Sequence, residues 1–294
     1  MAGATGLLGA SVAAALDDRG HEVHRLSRGL TPSDRSYRLD LRDHDAMTAL
    51  IAKVQPDVVV QMTGGPTPDP PRMAESNIVP TISLIETLAR SKPTPSLFIT
   101  GSAAEYGDPG PKPASEDSKL RPLSPYGWIK LSEVAVARAI AAARGVSLTV
   151  VRPFNPVSHR LPQSTALGNF RMQLLRESGP RRHIVCGRID VVRDFVTTDF
   201  IGAVMAQLLE SPPGGVVNIC SGVGLSLEEV MRASAAVAGV ELSFDIDPEL
   251  AGLPAPTEIV GDQSRLFSLV EVRPDTTPQA LGTKLLGPDA AVIG

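Results

Sequence analysis

Tyr126 and Lys130 stand four residues apart in Ser124-Pro125-Tyr126-Gly127-Trp128-Ile129-Lys130. In a helix that spacing places both on one face, a single turn apart. An ammonium near a phenol favours the phenolate, so Lys130 is expected to lower the Tyr126 pKa. A phenol tuned towards neutrality can give or take a proton at a sugar hydroxyl or ketone. A packed tyrosine beside a surface lysine has the same spacing, so the pair needs support from the rest of the chain. The run that follows, residues 131–145, is rich in alanine and closes on Gly145. It predicts the helix the pair requires.

A second set of residues suits a phosphate. Gly3, Gly6 and Gly9 lead into a helical run over residues 10–16. A glycine turn feeding a helix N-terminus offers backbone N–H groups and a positive dipole end to a pyrophosphate. A strand over residues 22–26 follows, as a dinucleotide fold requires. The strand that should precede the turn is missing. The expectation is a sequence that starts several residues late, or else a sheet with a gap or a substitute strand at its centre. At the end of strand two, a carboxylate would bind the adenosine ribose 2′-OH. Ser27 and Arg28 stand there instead and favour a 2′-phosphate, hence NADP over NAD. Asp40 is expected to reach the adenine, and Asp43 to cap a helix through residues 46–51.

Residues 56–61 read as a buried parallel strand. It runs into Met62, Thr63 and Gly64, where a cofactor can lie against backbone. A Pro-rich loop over 66–71, a helix over 76–90 and a strand over 96–100 come next. That strand ends at Gly101 and Ser102. Ligands of open α/β sheets gather at the carboxyl ends of strands, so Ser102 is placed to hydrogen-bond a substrate oxygen. A polar loop over 108–123 leads to the Tyr–Lys helix, and a strand over 147–151 closes in Arg152-Pro153-Phe154-Asn155. Residues 193–200 are expected to open a helix that runs to Leu209, residues 215–220 to form a late strand, and residues 227–240 a helix. Residues 241–294 are Pro-rich and loosely patterned. The expected fold is α/β: a doubly wound (Rossmann) parallel sheet with a smaller C-terminal α/β substrate lobe. Residues 1–155 form the dinucleotide domain, to which 194–220 return, and residues 156–193 and 221–294 form the lobe.

Composition agrees with a folded enzyme. The 294 residues are 43% apolar, enough for a packed core, and the net charge of −4 argues against a general nucleic-acid binder. No apolar run reaches bilayer length, and no secretory leader is expected. Two cysteines, Cys186 and Cys220, make no disulfide framework, which points to a reduced, cytoplasmic chain. The histidines show no metal-ligand spacing.

In order along the chain, Gly3-x-x-Gly6-x-x-Gly9, Asp40-Leu41-x-Asp43, Pro56-Asp57-Val58-Val59, Asn77, Ser102 with Tyr106-Gly107, Tyr126-x-x-x-Lys130, Arg152-Pro153-Phe154-Asn155, Arg193-Asp194-Phe195 and Asn218-x-x-Ser221-Gly222 resemble one family. It is the extended short-chain dehydrogenase/reductases, the nucleotide-sugar epimerases, dehydratases and 4-ketoreductases. The resemblance implies Tyr126 as acid/base, Lys130 on the nicotinamide ribose and Ser102 on the substrate oxygen. It implies Gly3, Thr5, Gly6, Leu7, Leu8, Gly9, Ser27, Arg28, Asp40, Leu41, Met62, Thr63, Gly64 and Pro153 at the cofactor. Ala103, Asn155 and Arg193 would face substrate, Asn155 and Arg193 its phosphates. In the sugar 4,6-dehydratases an acidic pair follows the catalytic hydroxyl residue. Here Ala103 and Ala104 follow Ser102, which argues against dehydration. A 4-keto(-6-deoxy)hexose reductase using NADP is the leading expectation. A nucleotide-sugar 4-epimerase with retained NAD is the alternative, and a non-catalytic dinucleotide-binding sensor or scaffold a third reading. A homodimer is expected, since relatives pair such helices and this one is rich in alanine.

Overall fold

The computed structural model describes residues 1–176, 178–253 and 255–290. A parallel sheet must be covered on both faces, and the alternation of strands and helices supplies the cover. The first elements are α1 (Leu7–Asp18), β1 (Arg25–Leu26), β2 (Ser36–Tyr37), α2 (His44–Val54), β3 (Val58–Gln61) and α3 (Pro70–Leu88). They are followed by β4 (Ser96–Thr100), α4 (Pro125–Arg144) and β5 (Leu148–Pro153). Successive strand residues point to opposite faces. Phe98 and Val151 accordingly enter one core with Val12 and Leu16 of α1. Their neighbours Leu97, Ile99 and Val150 enter the other, with Leu84 and Leu88 of α3 and Val134 and Ala137 of α4.

The first strand is replaced by two residues. Ala2 bridges in parallel to both Leu26 and Gln61. Ala2 N donates to Val60 O at 2.8 Å, Met62 N to Ala2 O at 3.0 Å, Leu26 N to Met1 O at 2.8 Å, and Gly3 N to Leu26 O at 3.1 Å. Met1 and Ala2 thus act as the substitute strand, and the sheet stays joined as β2, β1, Ala2, β3, β4, β5.

The chain continues through β6 (Asn155–Val157), α5 (Ala166–Arg176), β7 (Arg181–Cys186), β8 (Val192–Thr197), α6 (Thr198–Glu210) and β9 (Gly215–Ile219). Next come β10 (Gly224–Ser226), α7 (Leu227–Val237), β11 (Glu241–Ile246), α8 (Pro248–Ala251), β12 (Glu258–Ile259), α9 (Ser264–Leu269) and α10 (Pro278–Leu286). β9 extends the main sheet by pairing in parallel with β5. α6 covers the face shared with α1, so closely that a Cβ on Gly202 would stand 2.6 Å from Ser11 O. A smaller sheet forms around β8, which pairs with β6, β10 and β12, and β7 pairs with β11. No helix among the described residues is long and apolar enough to cross a membrane.

Several expectations are corrected. Residues 193–197 form a strand, not the start of a helix, and α6 begins only at Thr198, capped by Thr197. The Pro-rich loop at 66–71 is shorter than expected. Pro70 and Pro71 occupy the first turn of α3, where missing N–H groups cost nothing, behind an Asp69 cap. Within 241–290 lie two strands and three helices, and α10 packs against α7.

Asp194 ties this second sheet together. It is fully buried and accepts hydrogen bonds from Ser221 N, Ser221 Oγ, Gly222 N and Gly261 N at 2.7–3.1 Å. Removing it strands the N–H donors of Ser221, Gly222 and Gly261, two of them buried. Asp194→Ala should therefore lose about 3 kcal/mol of stability, read as a lower urea midpoint.

Candidate active site

All strands of the main sheet run the same way, so their carboxyl ends share one edge. The glycine turn, Ser27, Met62, Ser102 and Pro153 all lie at that edge. Gly6 caps α1 and has no side chain to satisfy the helix's first N–H groups, and no acidic residue occupies the first turn. The free donors of Leu7, Leu8 and Gly9 suit an anion. The turn is tight: Gly3 has φ +78°, and a Cβ on Gly9 would sit 2.0 Å from Gly3 O. Arg160, from the loop after β6, donates to Thr5 O at 2.9 Å and brings the second lobe against this turn.

After β1, the Thr5 and Ser27 hydroxyls meet at 3.4 Å. Arg28 is exposed and makes no ion pair among the described residues. Asp40 is held by Arg42, whose Nη2 and Nε lie 2.8 and 3.0 Å from its oxygens, and its carboxyl falls to about 2. Asp43 caps α2 through Ala46 N at 3.0 Å. The Leu41 side chain lies in the core. Thr63 Oγ1 accepts from Gln61 Nε2 at 2.9 Å, and Gly64 packs against Asn77.

Ser102 is positioned from below. It caps a single 3-10 turn, Ala103–Glu105, in a capping box: Ala104 N donates to Ser102 Oγ at 3.2 Å and Ser102 N to Glu105 Oε1 at 2.7 Å. Glu105 pairs with Arg152 of β5 at 2.8 Å, and both are buried. Arg152 also donates to the Tyr106 hydroxyl at 3.1 Å, which donates to Asn218 Oδ1 at 2.7 Å. Burial pushes the Tyr106 phenol up to about 12, so it stays a donor.

Ser124 caps α4 through Gly127 N at 3.1 Å, and Gly145 ends it in the left-handed region. Gly127 lets the helix press on the Ser102 turn, since a Cβ there would lie 2.5 Å from Ala104 O. Tyr126 is half-buried, with the Ser102 hydroxyl near its phenol. The expected lowering of its pKa is corrected. Burial raises the phenol above its ordinary value, outweighing the downward pull of Lys130 and of the Ser102 hydroxyl, and Glu133 opposes that pull. Lys130 Nζ is itself bound to Glu133 Oε2 at 2.6 Å.

Asn155 and Arg193 come from neighbouring strands, β6 and β8. Asn155 Nδ2 donates to Asp194 O at 2.9 Å. Arg193 donates to Val192 O at 2.8 Å and has no carboxylate partner among the described residues. Burial and the nearby Arg188 depress its pKa, which marks a guanidinium short of negative charge.

Residues 1–220 match the NAD dependent epimerase/dehydratase family. The chain belongs to this family. Among curated relatives, it is 30% identical over 266 residues to the dTDP-6-deoxy-L-talose 4-dehydrogenase (NAD(P)(+)) of Kitasatospora kifunensis, covering 86% of this chain and 81% of that one. It is 26% identical over 251 residues to the GDP-6-deoxy-D-mannose reductase of Pseudomonas aeruginosa, covering 82% of each. In fold it is similar to the Thermus thermophilus UDP-glucose 4-epimerase in complex with NAD (TM-score 0.82, 20% identity, 98% of each chain).

As a member of the epimerase/dehydratase family, the chain carries groups at this edge that spacing alone did not single out. Glu105 was legible as the fourth position of the Ser102-x-x-Glu105 capping box. Glu133 reads in sequence like an ordinary surface i,i+3 partner of Lys130, and only burial reveals it. Asn77, already among the residues that carry the family resemblance, is fully buried, donates to Met73 O at 2.7 Å, and leaves its Oδ1 beside Gly64 without a partner among the described residues.

Gly9→Ala should push the turn off Gly3 O and weaken binding of a nicotinamide dinucleotide at least about tenfold, read by fluorescence titration, with the fold retained by circular dichroism.

Proposed function

We propose that the protein reduces the 4-keto group of a nucleotide-linked 4-keto(-6-deoxy)hexose, with NADPH as hydride donor. The observation that carries the reading is Tyr126. It stands beside Ser102 at the strand edge with its phenol kept in the acid form. A reductase needs a proton for the oxygen that becomes a hydroxyl, and a protonated phenol supplies it. A bound nicotinamide would supply the hydride for C4.

Ser102 donates a hydrogen bond to the carbonyl oxygen, and Tyr126 hands its proton to that oxygen as negative charge builds. Lys130 holds the ribose and stabilises the tyrosinate that remains. Gly3, Gly6 and Gly9 with the first turn of α1 hold the pyrophosphate. Arg193, lacking a carboxylate, and Asn155 take the substrate's phosphates. Ser27 and Arg28 take the 2′-phosphate, and no acidic residue stands directly after β1 to repel it. The reductase and 4-dehydrogenase names of the Pseudomonas and Kitasatospora relatives support this chemistry.

Elimination of the C6 hydroxyl fits poorly. Ala103 and Ala104 offer no carboxylate, and Glu105 is consumed by Arg152 and Ser102 N. A scaffold without activity has no use for the Ser102–Tyr126–Lys130 set. An epimerase with retained NAD is the second reading. It is supported by the 27% identity to the UDP-glucose 4-epimerase of Streptomyces lividans. The homodimer belongs to the same proposal: Trp128 of α4 and Val79 of α3 are exposed, and light scattering reads the mass.

Tyr126→Phe should cut ketone reduction by about 10²–10⁴-fold while NADPH binding is retained; full turnover would sink the assignment. Because the phenol's pKa is raised, its acid form is filled throughout the neutral range. Reduction should therefore hold steady through neutral pH and fall only as pH climbs into the phenol's range. Arg28→Ala should lower the preference for NADPH over NADH by roughly tenfold. Tightly retained NAD in the purified protein would instead favour the epimerase.

A further inference from the structure

Glu133 lies seven residues after Tyr126 and three after Lys130, on the face of α4 that continues into Val134, Ala137 and Ala141 in the core. An apolar side chain would pack there at less cost than a carboxylate. The protein instead buries an ion pair: side-chain exposure is 4% for Lys130 and 0% for Glu133. The carboxylate is anchored on its far side as well. Glu133 Oε1 accepts from Thr81 Oγ1 of α3 at 2.7 Å, and Thr81 Oγ1 accepts from Gln61 Nε2 of β3 at 3.0 Å. The anchor therefore reaches from the end of β3, beside Met62 and Thr63, through α3 to α4.

We propose that Glu133 is a positioning residue, held by Thr81, which keeps Lys130 charged and fixed beside Tyr126. The proposal rests on the role given to Lys130 in the ketoreductase reading. Among the described residues Lys130 makes no ion pair besides that with Glu133. Glu105, on the 3-10 turn, is already paired with Arg152 of β5, and the Thr81 hydroxyl of α3 and the Gln61 amide of β3 carry no charge. Tyr126 is a neutral phenol at neutral pH. Burial opposes the lysine's charge; Glu133 is the foremost of the groups that sustain it, and together they leave its pKa above the ordinary value. Without the carboxylate, burial prevails. Lys130 then sheds its proton as pH rises through a range in which the native lysine stays charged.

The test follows the lysine itself. In the full chain labelled with carbon-13 lysine, the Lys130 Cε resonance is assigned by its loss in Lys130→Met and titrated by NMR. In native protein and in Glu133→Asp it should not titrate below the ordinary lysine range. In Glu133→Gln its midpoint should fall by about two units or more, and NADPH binding should be lost above that midpoint at pH values where native protein still binds. An unmoved midpoint, with only a lower melting temperature, overturns the proposal. Should Glu133→Gln fail to fold, Thr81→Val removes the anchor and keeps both charges. NADPH binding should then weaken roughly tenfold with the lysine midpoint unchanged, and native affinity in that variant overturns the proposal. Neither readout uses a sugar substrate, so a failure to reduce 4-keto sugars would count against the ketoreductase reading alone.

Discussion

A charge taken out of water must find its counter-charge inside the protein. Two such pairs sit at the carboxyl edge of the sheet, and two residues of the candidate site, Ser102 and Lys130, are placed by them. Arg152, on β5, fixes Glu105, and Glu105 fixes the backbone of Ser102. Glu133, on α4, fixes Lys130. The first pair joins the Ser102 turn to β5, and the second lies within α4 and is tied to α3 through Thr81, so Ser102 and Lys130 are held by the sheet and by helices and not by a loop. Both Ser102 and Lys130 lie near enough to Tyr126 to act on its phenol.

That arrangement decides the chemistry of the phenol. A free lysine one turn away would draw Tyr126 towards phenolate. Here the lysine's charge is met by Glu133, and burial raises the phenol above its ordinary value. The same Tyr–Lys spacing can thus present phenols of different acidity, depending first on burial and then on what meets the lysine's charge. Placing an acid at the edge suits the addition of hydride and proton to a ketone.

The sheet is also subject to a constraint at its centre. Strands β1 and β3 would each carry an open edge in the core without a neighbour between them. Met1, Ala2 and Gly3 satisfy both with four backbone hydrogen bonds, and Gly3 also begins the glycine turn. The second lobe reaches the same turn through Arg160, and Asp194 holds that lobe's sheet in register.

Much of this was legible in the chain. The glycine turn, the alternating strands and helices, Ser102 at a strand end and Tyr126 a turn from Lys130 follow from local rules: turn chemistry, period, and the position of strand ends. Residues 156–193 and 221–294 were expected to form a smaller lobe, but its strands were not: β8 runs straight into α6, and β11, whose alternation of Leu242, Phe244 and Ile246 is a strand signal, lies among Pro-rich neighbours. Residues 193–197 run into α6 without a break, and only pairing with β6, β10 and β12 makes them a strand. Nor was the pKa of Tyr126, since spacing shows that Lys130 is near but not what else is. Glu133 looks like a solvated helix partner until α3 covers it. Sequence by itself determined which groups could react and the order of the elements. Tertiary structure decided which charges were buried, what they were paired with, and so which proton the site can give, because burial and pairing depend on segments that meet only in the folded chain.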